Sequence, residues 1–145
     1  MNVLVTGSKG FIGKNLLLSL RRMADILVWE YDIDSPAGAL EEGLASADAV
    51  FHLAGVNRPE HVEDYERVNS DLTKRICHIL RHHRRKPILV FSSSTQAALD
   101  NPYGISKRTA ERVVQEFGSD TGAAVYAFRL PGVFGKGCRP NYNSV

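Results

Sequence analysis

The chain has 145 residues, about the length of one domain. Lys plus Arg number 18 and Asp plus Glu number 16, and this formal net charge of +2 argues against nucleic acid or an acidic membrane surface as a partner. Hydrophobic residues make up 43% and charged residues 23%, which is ordinary for a globular protein and argues against a disordered chain.

The cysteines and the apolar segments indicate the cellular compartment of the protein. Cys77 and Cys138 stand far apart, which fits neither a disulfide framework nor the spacing of a metal site. No apolar stretch approaches the ~20 residues that span a bilayer. The N-terminus lacks a secretory pattern because glycines interrupt its first apolar run. We therefore predict a cytoplasmic protein with no metal and no membrane contact.

The predicted elements alternate between strands and helices along the chain. Strands are predicted over residues 2–6, 26–31, 49–54, 87–92 and 124–129, and helices over residues 10–22, 36–47, 63–83 and 103–117. Ser35 is the predicted N-cap of the second helix and Asn101 that of the fourth. Such alternation predicts an α/β fold, a Rossmann-like open parallel sheet with helices on both faces. The sheet is expected to stop short of a substrate domain, because the sequence ends soon after the fifth strand.

A glycine-rich turn follows the first predicted strand and opens a helix. Glycines there allow a tight turn, so that a pyrophosphate can approach the helix N-terminus. Residues 1–145 are therefore predicted to form an NAD(P)-binding domain. The candidate cofactor-binding residues in this turn are Gly7, Lys9, Gly10, Phe11, Ile12 and Gly13.

Two charged residues point to different cofactors. Asp32 ends the second strand, where a carboxylate can bind the adenosine ribose of NAD. Lys9 can pair with the 2′-phosphate of NADP, which Asp32 would repel. A solvated loop carboxylate is an equal alternative for Asp32, so the choice between NADPH and NAD stays open at this point.

Tyr103 and Lys107 stand four residues apart on a predicted helix, and therefore on one face. A cation ~4 Å from a phenol contributes about 4 kcal/mol at an effective dielectric near 20. That energy can lower the phenol pKa by up to about 3 units, into the range useful for acid–base catalysis.

Three serines end the fourth strand, at the sheet edge where ligands of parallel sheets bind. Ser94 is the candidate for orienting a substrate carbonyl, whereas Ser92 and Ser93 are expected to satisfy backbone groups. His52 alternates with apolar neighbours and is expected to be a hydrogen-bonded core histidine.

These motifs, in this order, resemble the extended short-chain dehydrogenase/reductase family of nucleotide-sugar enzymes. The matching segments are residues 6–13, 52–55, 92–94, 103–107 and 129–135, together with Asn69. The resemblance implies that Ser94, Tyr103 and Lys107 are catalytic, with Asn69 in support. It further implies that Leu53, Ala54, Gly55, Tyr103 and Lys107 contact the cofactor, and that a homodimer forms through the helices carrying Asn69 and Tyr103.

Residues 52–61, 100–104 and 140–145 look most like family members that act in capsular polysaccharide synthesis and carry a C-terminal cupin domain. This resemblance implies NADPH-dependent reduction of the C4 ketone of a UDP-4-keto-6-deoxy-N-acetylhexosamine, on the route to UDP-N-acetyl-L-fucosamine. No cupin or substrate domain is expected within these 145 residues, so the chain alone is expected to be inactive. Phe134, Arg139, Asn141 and Asn143 are candidates for substrate contact, with a surface loop as the alternative.

Two other functions compete with this interpretation. One is an NAD-dependent nucleotide-sugar 4-epimerase on the same fold. The other is a non-catalytic dinucleotide sensor, which the presence of Ser94, Tyr103 and Lys107 disfavours because a sensor needs only the glycine turn.

Overall fold

The computed structural model describes residues 1–57 and 59–138. Its strands are β1 (Asn2–Thr6), β2 (Leu27–Tyr31), β3 (Ala49–His52), β4 (Ile88–Ser94) and β5 (Val125–Leu130). Its α-helices are α1 (Phe11–Leu20), α2 (Ala39–Ser46), α3 (Leu72–His82) and α4 (Pro102–Thr121). A π-helix (Tyr65–Asp71) precedes α3, and a 3-10 turn (Thr95–Ala98) follows β4.

The five strands form one parallel sheet in the order β2-β1-β3-β4-β5. Val3 of β1 pairs with Val28 on one side and Ala49 on the other. The chain thus moves outward from β1 to β2 and then returns past β1 to β3. Such a reversal opens a crevice at the carboxyl ends of β1 and β3, where open α/β sheets bind ligands.

Alternating side chains of the strands pack into two hydrophobic cores on opposite faces of the sheet. One core packs α2, α3 and α4 on residues such as Leu4 and Phe91. The other packs α1 on Val3, Val5 and Ala49. The predicted Rossmann-like parallel sheet with helices on both faces is confirmed.

Helix α1 covers only part of its face of the sheet. Beyond it, Ile88 of β4 is 46% exposed, and Tyr126 and Phe128 of β5 are 53% and 54% exposed. We call these three side chains the open face. Among the described residues, no helix has the length and apolarity to cross a membrane.

The structure corrects several predicted boundaries. Helix α2 begins at Ala39, after a left-handed Gly38, and Ser35 instead forms a turn by accepting a hydrogen bond from the Asp32 amide. Strand β3 ends at His52, two residues earlier than predicted.

The single helix predicted over residues 63–83 is a π-helix followed by α3, because the chain widens where buried Asn69 binds a neighbouring loop. The predicted Asn101 cap is confirmed by its bond from the Gly104 amide.

Candidate active site

A cleft of about 490 Å³ lies at the carboxyl ends of β1, β3, β4 and β5. It brings the glycine turn together with the predicted catalytic residues of β4 and α4. The described residues that line it are Gly7, Gly10–Gly13, Leu53, Gly55–Asn57, Ser92–Gln96, Tyr103, Lys107, Leu130–Val133 and Cys138. Phe134 is 74% exposed and lies outside this lining, while Arg139, Asn141 and Asn143 lie outside the described residues.

The glycine turn is packed too tightly for side chains. Gly7 has φ +70°, and its amide donates to the Tyr31 carbonyl (2.9 Å). A Cβ on Gly13 would lie 2.2 Å from the Gly7 carbonyl oxygen. Helix α1 begins at the cleft, which its first residues line. Its first turn carries no acidic residue that would repel an anion. This cradle fits the pyrophosphate of a dinucleotide.

Asp32 and Asp34, which follow β2, both contact Lys9 of the glycine turn. Asp32 accepts hydrogen bonds from the amides of Lys9 (2.7 Å) and Ile33 (2.9 Å), so it is not a freely solvated loop carboxylate. The Lys9 ammonium pairs with Asp34, a partner the sequence analysis missed. Their hydrogen bond raises the pKa of Lys9 and lowers the pKa of Asp34. Both side chains remain exposed at the surface.

Lys107 is a buried cation beside the Tyr103 ring. It is 4% exposed, and its Nζ donates to the Ser92 carbonyl oxygen (2.9 Å). Nζ lies 5.1 Å from the centroid of the Phe91 ring and 6.0 Å from that of Tyr103. Burial lowers the pKa of Lys107 to about 8, against an opposing effect of the Glu111 charge. The predicted pairing of Tyr103 and Lys107 on one helix face is thus present in the cleft.

Ser94 ends β4 and caps the 3-10 turn, where its Oγ accepts a hydrogen bond from the Gln96 amide (3.2 Å). Arg108 of α4 holds this turn by donating to the Ala97 carbonyl (3.0 Å) and to Asp100 (2.8 Å). Ser94 and Tyr103 both line the cleft, and a short loop connects them.

Asn69 holds the loop that follows β3. Its Oδ1 accepts from the Val56 amide and its Nδ2 donates to the Val56 carbonyl, both at 2.9 Å. Nδ2 also donates to Ser106 Oγ (3.0 Å). A Cβ on Gly55 would lie 2.8 Å from Asn69 Oδ1 and 3.0 Å from Lys107 Nζ. Asn69 thus supports the backbone against which Lys107 is packed.

His52 is fully buried between two threonines, as predicted for a core histidine. The Thr73 hydroxyl donates to the Asn69 carbonyl (2.7 Å), so His52 Nε2 must donate to Thr73 (2.8 Å). His52 Nδ1 then accepts from the Thr6 hydroxyl (2.7 Å). Burial, helped by the Lys107 charge, lowers the pKa of His52 to about 3. This neutral ring links β1 to the helix turn that carries Asn69.

A buried acid that was not predicted from the sequence lies next to Lys107. Glu111 accepts from Arg129 Nε (2.9 Å) and Nη2 (2.7 Å), and from the hydroxyl of Ser93. The available signal was spacing, because Glu111 continues the four-residue interval that separates Tyr103 from Lys107.

Comparison with known proteins identifies the family. The model of the NAD dependent epimerase/dehydratase family matches residues 3–144. The chain belongs to this family. The glycine turn, the crevice between β1 and β3, and the cleft described above are thus features of a family member.

Three similar proteins place the chain within this family. A Pseudomonas aeruginosa protein named UDP-2-acetamido-2,6-beta-L-arabino-hexul-4-ose reductase is 50% identical over 99% of the chain and 39% of its own length. The crystal structure of the capsular polysaccharide assembling protein CapF from Staphylococcus aureus matches with a TM-score of 0.85 and 43% identity, over 100% of this chain and 39% of that one. MoeE5 in complex with UDP-glucose and NAD matches with a TM-score of 0.82 and 28% identity, over 97% and 57%. The chain thus spans about two fifths of the length of the first two.

Proposed function

We propose that this protein binds NADPH and reduces the C4 ketone of a UDP-4-keto-6-deoxy-N-acetylhexosamine, in capsular polysaccharide synthesis. The observation that carries the proposal is the buried Lys107 beside Tyr103, in one cleft with the glycine turn and Ser94. The name of the 50% identical relative, a reductase of a UDP-linked hexulose, supports this substrate class.

Ser94, Tyr103 and Lys107 have separate roles in the proposed reaction. Ser94 Oγ hydrogen-bonds the substrate carbonyl oxygen and orients it. Tyr103 donates a proton to that oxygen as it gains negative charge, and the nearby Lys107 cation favours the phenolate left behind. Lys107 also donates to the nicotinamide ribose. When bound, the dinucleotide supplies the hydride that reduces the carbonyl carbon.

NADPH is the proposed donor because the Lys9–Asp34 pair can open readily. Both side chains of this pair are exposed to solvent, where ion pairs contribute little to stability, so a 2′-phosphate can replace Asp34 as the partner of Lys9. The second candidate function, an NAD-dependent 4-epimerase, is favoured by the position of Asp32, whose carboxylate would repel that phosphate.

We further propose that the protein is a cytoplasmic homodimer, because the family that it resembles suggests this.

A fluorescence titration with NADPH, using NADH as competitor, tests the cofactor proposal. We expect NADPH to bind and NADH to displace it poorly. Preferential binding of NADH would instead favour the epimerase, and binding of neither would contradict the dinucleotide site.

The proposed proton donor is tested separately in the full-length enzyme. Tyr103→Phe should lose turnover of the UDP-4-keto sugar by about 10²-fold or more while keeping its affinity for NADPH. Near-normal turnover would remove Tyr103 from the mechanism. Tyr126→Phe, on the open face, is the matched control and should retain activity.

A further inference from the structure

A second buried charge lies one helical turn beyond Lys107. Glu111 is 5% exposed and shares a face of α4 with Lys107, because residues four apart in a helix overlie one another. Its carboxylate is fixed by three donors, the hydroxyl of Ser93 on β4 and two guanidinium nitrogens of Arg129 on β5. The Glu111 carboxylate therefore ties α4 to the two strands whose ends form the cleft.

The titratable groups around Lys107 come from two elements. Glu111 and Tyr103 belong to its own helix, and His52 faces it from β3 as a neutral ring, whereas Arg129 of β5 pairs with Glu111. Among the described residues, Glu111 is the carboxylate that acts on Lys107. Its hydrogen bonds from Arg129 lower the pKa of Glu111, so it stays ionised despite its burial.

We propose that Glu111, clamped by Ser93 and Arg129, is a positioning residue that holds Lys107 as the charged ammonium against the Ser92 carbonyl. A buried ammonium without a counter-charge is strongly unfavourable and tends to lose its proton. The effect of the Lys107 charge on Tyr103 and on the cofactor rests on the proposed function. The effect of Glu111 on the protonation of Lys107 does not. The competing explanation is an ion pair that only fastens α4 to β5.

Two substitutions disturb the Glu111–Arg129 pair but differ in their effect on Lys107. Glu111→Gln removes the negative charge near Lys107, and should lower the pKa of Lys107 by about one pH unit. Arg129→Lys instead breaks the two-nitrogen clamp but keeps a positive charge beside Glu111, so that Glu111 stays ionised, and it should leave the pKa of Lys107 unchanged. The ¹³Cε signal of Lys107, assigned by its loss in Lys107→Arg, reports this titration in the protein without cofactor.

The second measurement is the pH dependence of NADPH affinity. Affinity should fall as Lys107 loses its proton, and in Glu111→Gln this fall should begin about one pH unit lower than in the unsubstituted protein. Glu111→Asp keeps the charge and should restore the original profile, which also provides a test if the glutamine variant fails to fold.

Equal shifts in Glu111→Gln and Arg129→Lys, or no shift in the glutamine variant of Glu111, would overturn the proposal in favour of a fastening role. A lysine titration in Glu111→Asp displaced as far as in Glu111→Gln would also overturn it. Failure of the unsubstituted protein to bind NADPH would contradict the proposed function, but would leave the NMR comparison intact.

Discussion

At the residue scale, Lys107 opposes the stability of the fold it belongs to. Its folded-state pKa of about 8 lies below its ordinary value, so folding disfavours the charged form. The destabilisation is fully present below pH 8 and disappears as the pH rises toward 10.5, where the unfolded chain also loses the proton. This cost to stability agrees with the functional role that we propose for Lys107.

Replacing Lys107 should stabilise the protein. Lys107→Met removes the buried charge, and should raise the free energy of unfolding by about 2–3 kcal/mol at pH 7 and by little at pH 10.5. Denaturant unfolding, followed through the single tryptophan, Trp29, measures the difference. Lys86→Met is the exposed control and should change stability by less than about 0.5 kcal/mol. Equal effects of the two substitutions would contradict the argument.

Asp34 is predicted to control the choice of cofactor. Asp34→Asn removes the carboxylate that occupies the Lys9 ammonium, and should strengthen NADPH binding by about 3–10-fold without changing NADH binding. Competition titrations measure both affinities. Lys9→Met, the matched variant, should weaken NADPH binding alone. Parallel changes for the two cofactors would show that this pair does not contact the 2′-phosphate.

At the scale of elements, β1, β3 and the π-helix are joined by one directed chain of hydrogen bonds. It runs from Thr6 through His52 to Thr73 and ends on the Asn69 carbonyl. Helical spacing alone predicted a continuous helix here. It could not show the π-helix, because the change of period follows from contacts with a loop distant in sequence.

The buried His52 predicts a loss of stability in mild acid. The unfolded chain takes up a proton near pH 6.5 and the folded chain only near pH 3. Stability is therefore unaffected above pH 6.5, and falls by about 1.4 kcal/mol per pH unit below it, down to about pH 3. Unfolding measured at pH 7.5 and pH 5 should differ by about 2 kcal/mol from this residue.

Substitution separates His52 from the other titrating groups. His52→Gln should be less stable at neutral pH but should lack the loss of stability between pH 6.5 and 5. His78→Gln, at an exposed position of α3, should retain that loss. The same pH dependence in His52→Gln would assign it to other residues.

At the scale of the molecule, the two faces of the sheet are covered unequally. Helices α2, α3 and α4 pack on one face, whereas α1 leaves Ile88, Tyr126 and Phe128 exposed on the other. Contiguous exposed apolar side chains promote association and bind apolar dyes.

The open face predicts the solution behaviour of the 145-residue chain. Phe128→Ser should lower the fluorescence of an apolar dye by about twofold or more, and reduce concentration-dependent self-association measured by sedimentation. NADPH affinity should not change, because Phe128 lies outside the cleft lining. Unaltered dye binding would show that the face is not accessible in solution.

The sequence by itself determined the alternation of elements, the glycine turn, and the Tyr103–Lys107 pair, since each depends on residues close together in the chain. Periodicity and local spacing are sufficient for such features. Only the tertiary structure decided the Asp34 partner of Lys9, the Glu111 clamp and the π-helix at Asn69. Each of these depends on contacts between segments separated in sequence, whose approach is set by the pairing of strands and the packing of helices on the sheet.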